Sequence, residues 1–308
     1  MLSARLLLIV WLLSAALAAV AGERRALLLL DEGPAVHQVA AATAAGIARA
    51  GMPESQISQF DIGELEKAAG FMARMRHDNI GVVVVALGPK AIRPALQLAG
   101  GKPIVVAFVS RATLEEGGYP MDRISGIVLD QPFDRLLSVV QAALPNARQI
   151  GVLTGPTTQK ASRQLERRAQ ERKLAVAAET IGAADELIGG VERLLPRSQV
   201  LLAIPDPLIH NRSTVLPLLL ATYRAGVPVV GYSEAYLQAG AAIALFSTPA
   251  QIGQQVGEVV VNALDDRAGT VILPPKYFTV EVNSAVLHSL GLTLPSPTEI
   301  QERVRAQE

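Results

Sequence analysis

Two rhythms alternate along the chain. Short runs are apolar at every position, and longer stretches carry apolar residues every three or four positions. Runs over 26–30, 80–87 and 103–109 predict strands buried on both faces, with 80–87 the most central because it holds four consecutive valines. A weaker strand is predicted over 56–60. Helical spacing predicts helices over 34–50, with Val36, Val39, Ala40, Ile47 and Ala48 on one face, and over 62–76 and 91–98. Alternation at this spacing implies a parallel sheet of right-handed βαβ units. Residues 113–123 are Gly-rich and read as irregular, and 124–129 read as a strand that leaves this first unit.

The pattern then starts again. A helix over 132–144 leads to a strand over 150–153, the polar turn Thr154-Gly155-Pro156-Thr157-Thr158, and a helix with Leu165 and Ala169 on its apolar face. Strands follow over 175–181, 199–204, 228–230 and 241–246, separated by helices over 183–194 and 214–225. A long amphipathic helix over 249–264 is closed by Asp265-Asp266-Arg267-Ala268-Gly269, and 277–282 alternates like a final strand before a short helix over 284–290. Beyond Leu294 the tail is polar and Pro-containing, and its last ten residues are expected to be disordered. The expected fold is α/β, with two βα lobes and a ligand-binding cleft between them. In such sheets the turns at the carboxyl ends of strands gather ligand-contacting groups.

The first residues are of another kind. Arg5, the apolar run from Leu6 to Leu13 and the small residues ending at Ala19-Val20-Ala21 match the three parts of a secretory signal, so residues 1–21 are expected to be removed. The apolar run is too short to span a bilayer, and no cysteine follows it to carry a lipid. Cysteine is absent from the chain, so an oxidising compartment offers no disulfides and stability must come from packing. Lys plus Arg and Asp plus Glu each number 28, without a basic run, and this gives no electrostatic footprint for nucleic acid. No later apolar stretch approaches spanning length, so no stable membrane insertion is expected after cleavage.

Five local signatures arrive in a characteristic order: Pro103-Ile-Val-Val-Ala-Phe-Val-Ser110; Ile124-Ser-Gly-Ile127; Leu144-Pro-Asn-Ala147 ahead of Gln149-Ile-Gly-Val-Leu153; Gly226-Val-Pro-Val-Val-Gly-Tyr-Ser233; and Val282-Asn283 ahead of Leu290-Gly-Leu-Thr-Leu-Pro295. In this the chain resembles the ABC-transporter substrate-binding proteins that include tryptophan- and tyrosine-binding members, well over 103–295 and loosely before. The resemblance implies the type I periplasmic-binding-protein fold, two Rossmann-like lobes with parallel sheets joined by a three-segment hinge. On this chain that means an N-terminal lobe of 22–129 plus 248–275 and a C-terminal lobe of 130–247 plus 276–308. It also implies a periplasmic monomer that captures a small molecule, with an amino acid as the candidate, for an ABC permease in the inner membrane. Departures stand at Ser110-Arg111-Ala112, where the family commonly has Ser-Asp-Pro, and at Thr154 to Gln159, where it offers Tyr or Asn and then Asn-Ser. They motivate an alternative, an envelope sensor or partner-binding protein that keeps the fold without transport.

Candidate ligand contacts sit at the strand-end turns. Thr154, Thr157 and Thr158 offer hydroxyls to a carboxylate, against the plainer reading of Thr157 or Thr158 as a helix N-cap. Ser110 and Arg111 could hold an anionic group, Asp206 between two prolines an ammonium, and Ser233 in the Gly-Tyr-Ser turn a polar group. Gly88 ends the central strand of the first unit. The rival for Asp206 is a turn former, and for Glu234 a cap of the next helix. Asp31, Glu32 and His37 match no metal spacing, Lys90 lies in no phosphate loop, and G-x-G-x-x-G is missing, so neither metal nor cofactor is expected. No G-x-S-x-G elbow occurs and none of the four histidines has a triad context, which leaves an enzyme the least supported class. The only Trp, Trp11, falls in the signal, and this disfavours a sugar ligand stacked on rings.

Overall fold

The structure, a computed structural model, describes residues 23–264 and 270–308; the expected signal and the 265–269 turn lie outside the described residues. In chain order the elements run β1 (Arg24–Leu30), α1 (Pro34–Arg49), β2 (Ile57–Asp61), α2 (Leu65–His77), β3 (Gly81–Leu87), α3 (Pro89–Ala99), β4 (Ile104–Val109), α4 (Arg111–Glu116) and β5 (Ile124–Val128). They continue with α5 (Phe133–Ala143), β6 (Gln149–Thr154), α6 (Gln159–Glu171), β7 (Ala175–Thr180), α7 (Leu187–Leu194), β8 (Val200–Leu202), α8 (Val215–Arg224) and β9 (Val229–Gly231). The last are α9 (Glu234–Ala239), β10 (Ile243–Phe246), α10 (Pro249–Leu264), β11 (Ile272–Leu273), β12 (Thr279–Val282), α11 (Ser284–Ser289) and α12 (Pro297–Arg305). The chain divides into two compact units. One takes in the residues up to Val109 with Gly118–Val128 and Pro249–Leu273; the other is Ser110–Gly117, Leu129–Thr248 and Pro274–Glu308.

The first unit holds a sheet in the order β11-β5-β4-β3-β1-β2, parallel throughout. Its centre is β3, whose Val82 to Leu87 are all buried, as an apolar run with helices on both faces requires. Helix α1 buries Val36, Val39, Ala40 and Ile47 and meets α10 along a glycine seam. A Cβ on Gly253 would lie 2.2 Å from the backbone carbonyl of Ala42, and one on Gly46 would lie 1.9 Å from the carbonyl oxygen of Gly253. The two backbones approach as closely as they do only because neither glycine carries a side chain.

The second unit repeats the winding in the order β12-β10-β9-β8-β6-β7, parallel except that β12 runs antiparallel to β10. Successive strand residues point to opposite faces and so feed two cores. Ile150, Val152, Val200 and Leu202 join one cluster, with Leu165, Leu287, Ile300 and Val304. Leu153, Leu201 and Ala203 join the other, with Leu187, Val191, Leu218 and Tyr236. Below the first core, buried Arg135 donates to Gln131 Oε1 and to the Pro275 carbonyl, both at 2.7 Å, pairs with the Glu308 carboxylate and lies 4.3 Å over the Phe278 ring. Gln131 in turn donates to Ser247 Oγ at 3.0 Å, so one polar network joins four separate stretches of this unit.

Two expectations are corrected, and one element is added. The tail is not disordered: Ser296 caps α12 by accepting from the Glu299 N–H, and Ile300 and Val304 are fully buried against the first core of the second unit. The stretch expected to be irregular from 113 begins as helix α4, because Ser110 accepts from the Thr113 N–H and anchors Leu114 in the interior. The short strand β11 was not foreseen; two residues of pattern are too few to read, and only pairing with β5 defines them.

Candidate functional site

In each unit the strand order reverses beside the first strand wound, between β1 and β3 and between β6 and β8, and there the carboxyl-end turns splay to leave a crevice. The turn after β6 and the turn after β8 are held together by Asp206. Its Oδ2 accepts from the Gly155 N–H at 2.8 Å and from the Thr158 hydroxyl at 2.6 Å. Its Oδ1 accepts from the Leu208 N–H at 2.9 Å and the Ile209 N–H at 3.3 Å. The carboxylate is buried and fully engaged within the chain, which is why its charge is tolerated there. Gly155 has to be glycine, since a Cβ would sit 2.7 Å from Asp206 Oδ2. The first unit uses the same device with the strands exchanged. Asp31, after β1, accepts from the Lys90 N–H at 2.9 Å and the Glu32 N–H at 2.7 Å, and Gly88, at φ 92°, lets the β3 turn come against it.

A cavity of about 190 Å³ opens at this end of the second unit, lined by Ser110, Ala112, Thr113, Glu116, Thr157, Pro205, Asp206, Pro207, His210 and Tyr232. Among the expected contacts it brings together Ser110, Thr157 and Asp206. Exposed Thr157 makes no side-chain hydrogen bond with the described residues, whereas Ser110 Oγ also lies 2.7 Å from Thr113 Oγ1. The other expected residues lie elsewhere. Thr154 turns to β7, 3.2 Å from Thr180 Oγ1; Thr158 is bound to Asp206; Ser233 caps α9 by accepting from the Tyr236 N–H at 3.2 Å. Arg111 contributes its backbone N–H to Asp130 Oδ2 at 2.7 Å while its side chain is exposed, and Gly88 belongs to the first unit. Burial raises the Asp130 pKa, and that N–H bond opposes the rise. A bulge in β4, where Phe108 takes φ 58° and the register with β5 shifts, precedes Ser110 and redirects the chain into α4.

Thr113, Glu116, His210 and Tyr232 were not among the expected contacts. His210 and Tyr232 belong to an aromatic cluster with Tyr236, whose ring centroids lie 5.3 to 5.7 Å apart. His210 Nδ1 is 2.7 Å from the Tyr236 hydroxyl, and its Nε2 is buried without a hydrogen-bond partner. Burial lowers the His210 pKa to about 4 against the opposing pull of Asp206, so the ring is neutral at physiological pH. Burial likewise raises the Tyr232 pKa to about 12, with Asp206 adding to the rise, and raises that of Tyr236. The cluster therefore offers hydrogen bonds without charge. The signal that could have found it is the Asp206-x-x-x-His210 spacing beside the Gly-Tyr-Ser turn.

A larger groove of about 630 Å³ lies between α7 and α8 of the same unit, lined by apolar residues such as Ile188, Leu195 and Leu220 together with Glu192 and Arg224. It carries no hydroxyl or imidazole, whereas the smaller cavity gathers both at the carboxyl ends of the strands and is the chemical candidate. Among the described residues no group of three or more His, Asp or Glu is placed to hold a metal, and no helix is long and apolar enough to cross a membrane.

Two doubly wound α/β units, each with its crevice at the carboxyl ends of a parallel sheet, define the periplasmic-binding-protein class of fold. The profile of the family described as ABC transporter substrate binding protein matches residues 26–299, and the chain belongs to that family. It is similar in fold to a substrate-binding protein with adhesive properties from Clostridium difficile, at 18% identity and a TM-score of 0.70, over 89% of this chain and 96% of that one. It is also similar to an ABC domain from Streptococcus pneumonia in complex with L-Trp, at 14% identity and a TM-score of 0.61, over 92% and 98% of the two chains. A conserved domain protein from Vibrio cholerae shares 19% identity with a TM-score of 0.59, over 93% and 98%. No curated protein matches the chain in sequence.

Proposed function

We propose that the protein is exported through residues 1–21 and captures a small molecule for an ABC importer of the inner membrane, with the second-unit cavity forming part of the binding site. The observation that carries this reading is the convergence of Ser110, Thr157, His210 and Tyr232 on one cavity at a topological switch point. Two turns locked by Asp206 hold that cavity in shape before any ligand arrives, which limits the ordering cost of binding. Thr157 and Ser110 are the proposed polar contacts retained from the sequence. Asp206 becomes a positioning residue, because all four of its hydrogen bonds are internal.

Thermal unfolding of the purified protein against amino acids, amines, sugars and anions tests the reading. A ligand at about 100 times its dissociation constant adds roughly 2.7 kcal/mol to the folded state, an obvious upward shift. Thr157→Ala should reduce that shift without moving the melting temperature of the free protein, since the side chain is exposed. An unchanged ligand-induced shift in this variant removes Thr157 from the site.

A second reading, a protein that docks a partner, is supported by one observation. Ile188, Leu216, Leu220 and Tyr223 on α7 and α8 are 41 to 62% exposed, the only large apolar side chains so exposed among the described residues of the second unit. Silence across the whole panel from a cooperatively melting protein would move the weight to it.

A further inference from the structure

The second-unit cavity has a sign. Its lining includes two carboxylates, Asp206 and Glu116, and no lysine or arginine. His210 supplies no countercharge, since its ring is neutral, and the Tyr232 hydroxyl keeps its proton. The start of α6 is the place where an anion would ordinarily be received, by free N–H groups and the positive end of the helix dipole. Asp206 already occupies the approach to it, bound to the Gly155 N–H and the Thr158 hydroxyl of the same turn. A carboxylate or phosphate entering the cavity would meet a buried negative charge that solvent screens weakly.

Glu116 differs from Asp206 in being available. It stands exposed in the last turn of α4 and forms no hydrogen bond or ion pair with the described residues. Around it the lining offers the hydroxyls of Ser110, Thr113 and Thr157, the ring of Tyr232, and the flat apolar faces of Pro205 and Pro207. The Tyr236 hydroxyl and His210 Nδ1 share one hydrogen bond at 2.7 Å, and His210 Nε2 is buried without a partner.

We propose that this cavity selects a small organic cation, a protonated amine or quaternary ammonium whose charge is met by Glu116 and the Tyr232 ring. The class follows from what the walls contain: acceptors and aromatic faces for a cation, and no cationic side chain for an anion. This rests on the reading that the cavity is part of the ligand site. It narrows that reading away from ligands that depend on a carboxylate.

The test is calorimetric titration of the purified protein with choline, agmatine and putrescine as cations, tyrosine and tryptophan as zwitterions, and succinate and inorganic phosphate as anions. The expected result is binding by at least one cation and by neither anion, with affinity for that cation falling about tenfold or more in Glu116→Gln and staying unchanged in Glu115→Gln. Both substitutions are at exposed positions, so melting temperatures of the free variants should match the parent. Binding of an anion or zwitterion without any cation overturns the charge assignment and leaves the capture of a small molecule standing. Cation binding that Glu116→Gln does not weaken overturns the role of Glu116. No binding by any probe overturns the ligand-site reading and this inference with it.

Discussion

Replacing Asp206 with asparagine should cost stability before it costs anything else. The substitution is nearly isosteric, so no cavity opens, and the loss is one of hydrogen bonding. Asparagine can keep its oxygen toward the Leu208 and Ile209 N–H groups, but the position of Oδ2 becomes an NH2 that faces the Gly155 N–H, and the Thr158 hydroxyl must turn to accept where it had donated. Bonds to a charged group contribute about 1.5–3 kcal/mol each. Thr158 Oγ1 lies 3.1 Å from the Gly155 nitrogen and offers it a second acceptor, so the expected net loss is about 3 kcal/mol rather than twice that. For a unit of this size each kcal/mol moves the melting temperature by about 2–4 °C, which gives a fall of about 6–12 °C. Calorimetric or circular-dichroism melts of Asp206→Asn beside Thr157→Ala read the contrast directly. An Asp206→Asn protein that melts within about a degree of the parent would refute the argument, for it would mean that the carboxylate is not committed to the chain.

Other consequences follow from packing and titration. Gly253→Ala on α10 should destabilise, because the new methyl strikes the Ala42 backbone, which cannot rotate away; overpacking of about 1–3 kcal/mol then outweighs the helix-propensity gain of about 1 kcal/mol. Gly70→Ala on α2, with nothing within 4 Å, keeps the gain alone and should stabilise, and comparative melts of the two variants check the sign. Ile300→Ala should lower stability by about 2–5 kcal/mol if α12 belongs to the core, measured by urea unfolding; no loss would return the tail to disorder. His210 has a folded pKa of about 4 against an ordinary 6.5, so between these values the unfolded chain binds a proton that the folded one does not. Stability should therefore rise with pH across that window, by at most about 3.4 kcal/mol, and His210→Phe should flatten the slope in urea titrations at pH 4.5 and 7.

The alternation of apolar runs with helical spacing was enough to read both sheets except β11 and nearly all their helices, since a strand buried on both faces and an amphipathic helix each leave a local pattern. Helix α10 runs from Pro249 to Leu264, the range that the pattern predicts. Helix α12 was illegible for the opposite reason. Its residues are mostly charged, and the two apolar ones, Ile300 and Val304, matter only because a core waits on one side of them. Helix α4 has the same character, with Leu114 alone fully buried.

The candidate site divides along the same line. Its location at the carboxyl ends of strands followed from the βαβ rhythm, and Ser110 and Thr157 from the turns that end there. Which side chains face the cavity did not follow, because that depends on partners far along the chain. Asp206 turns inward because the Gly155 N–H, 51 residues earlier, is brought to it by the pairing of β6 with β8. Thr154 turns away because β7 places Thr180 beside it. The two-fold repeat of parallel α/β winding is legible along the chain, since periodicity is a property of neighbouring residues. The tertiary structure alone decided which hydroxyls, carboxylates and rings remain unengaged, because a polar group is free only when no other part of the folded chain reaches it.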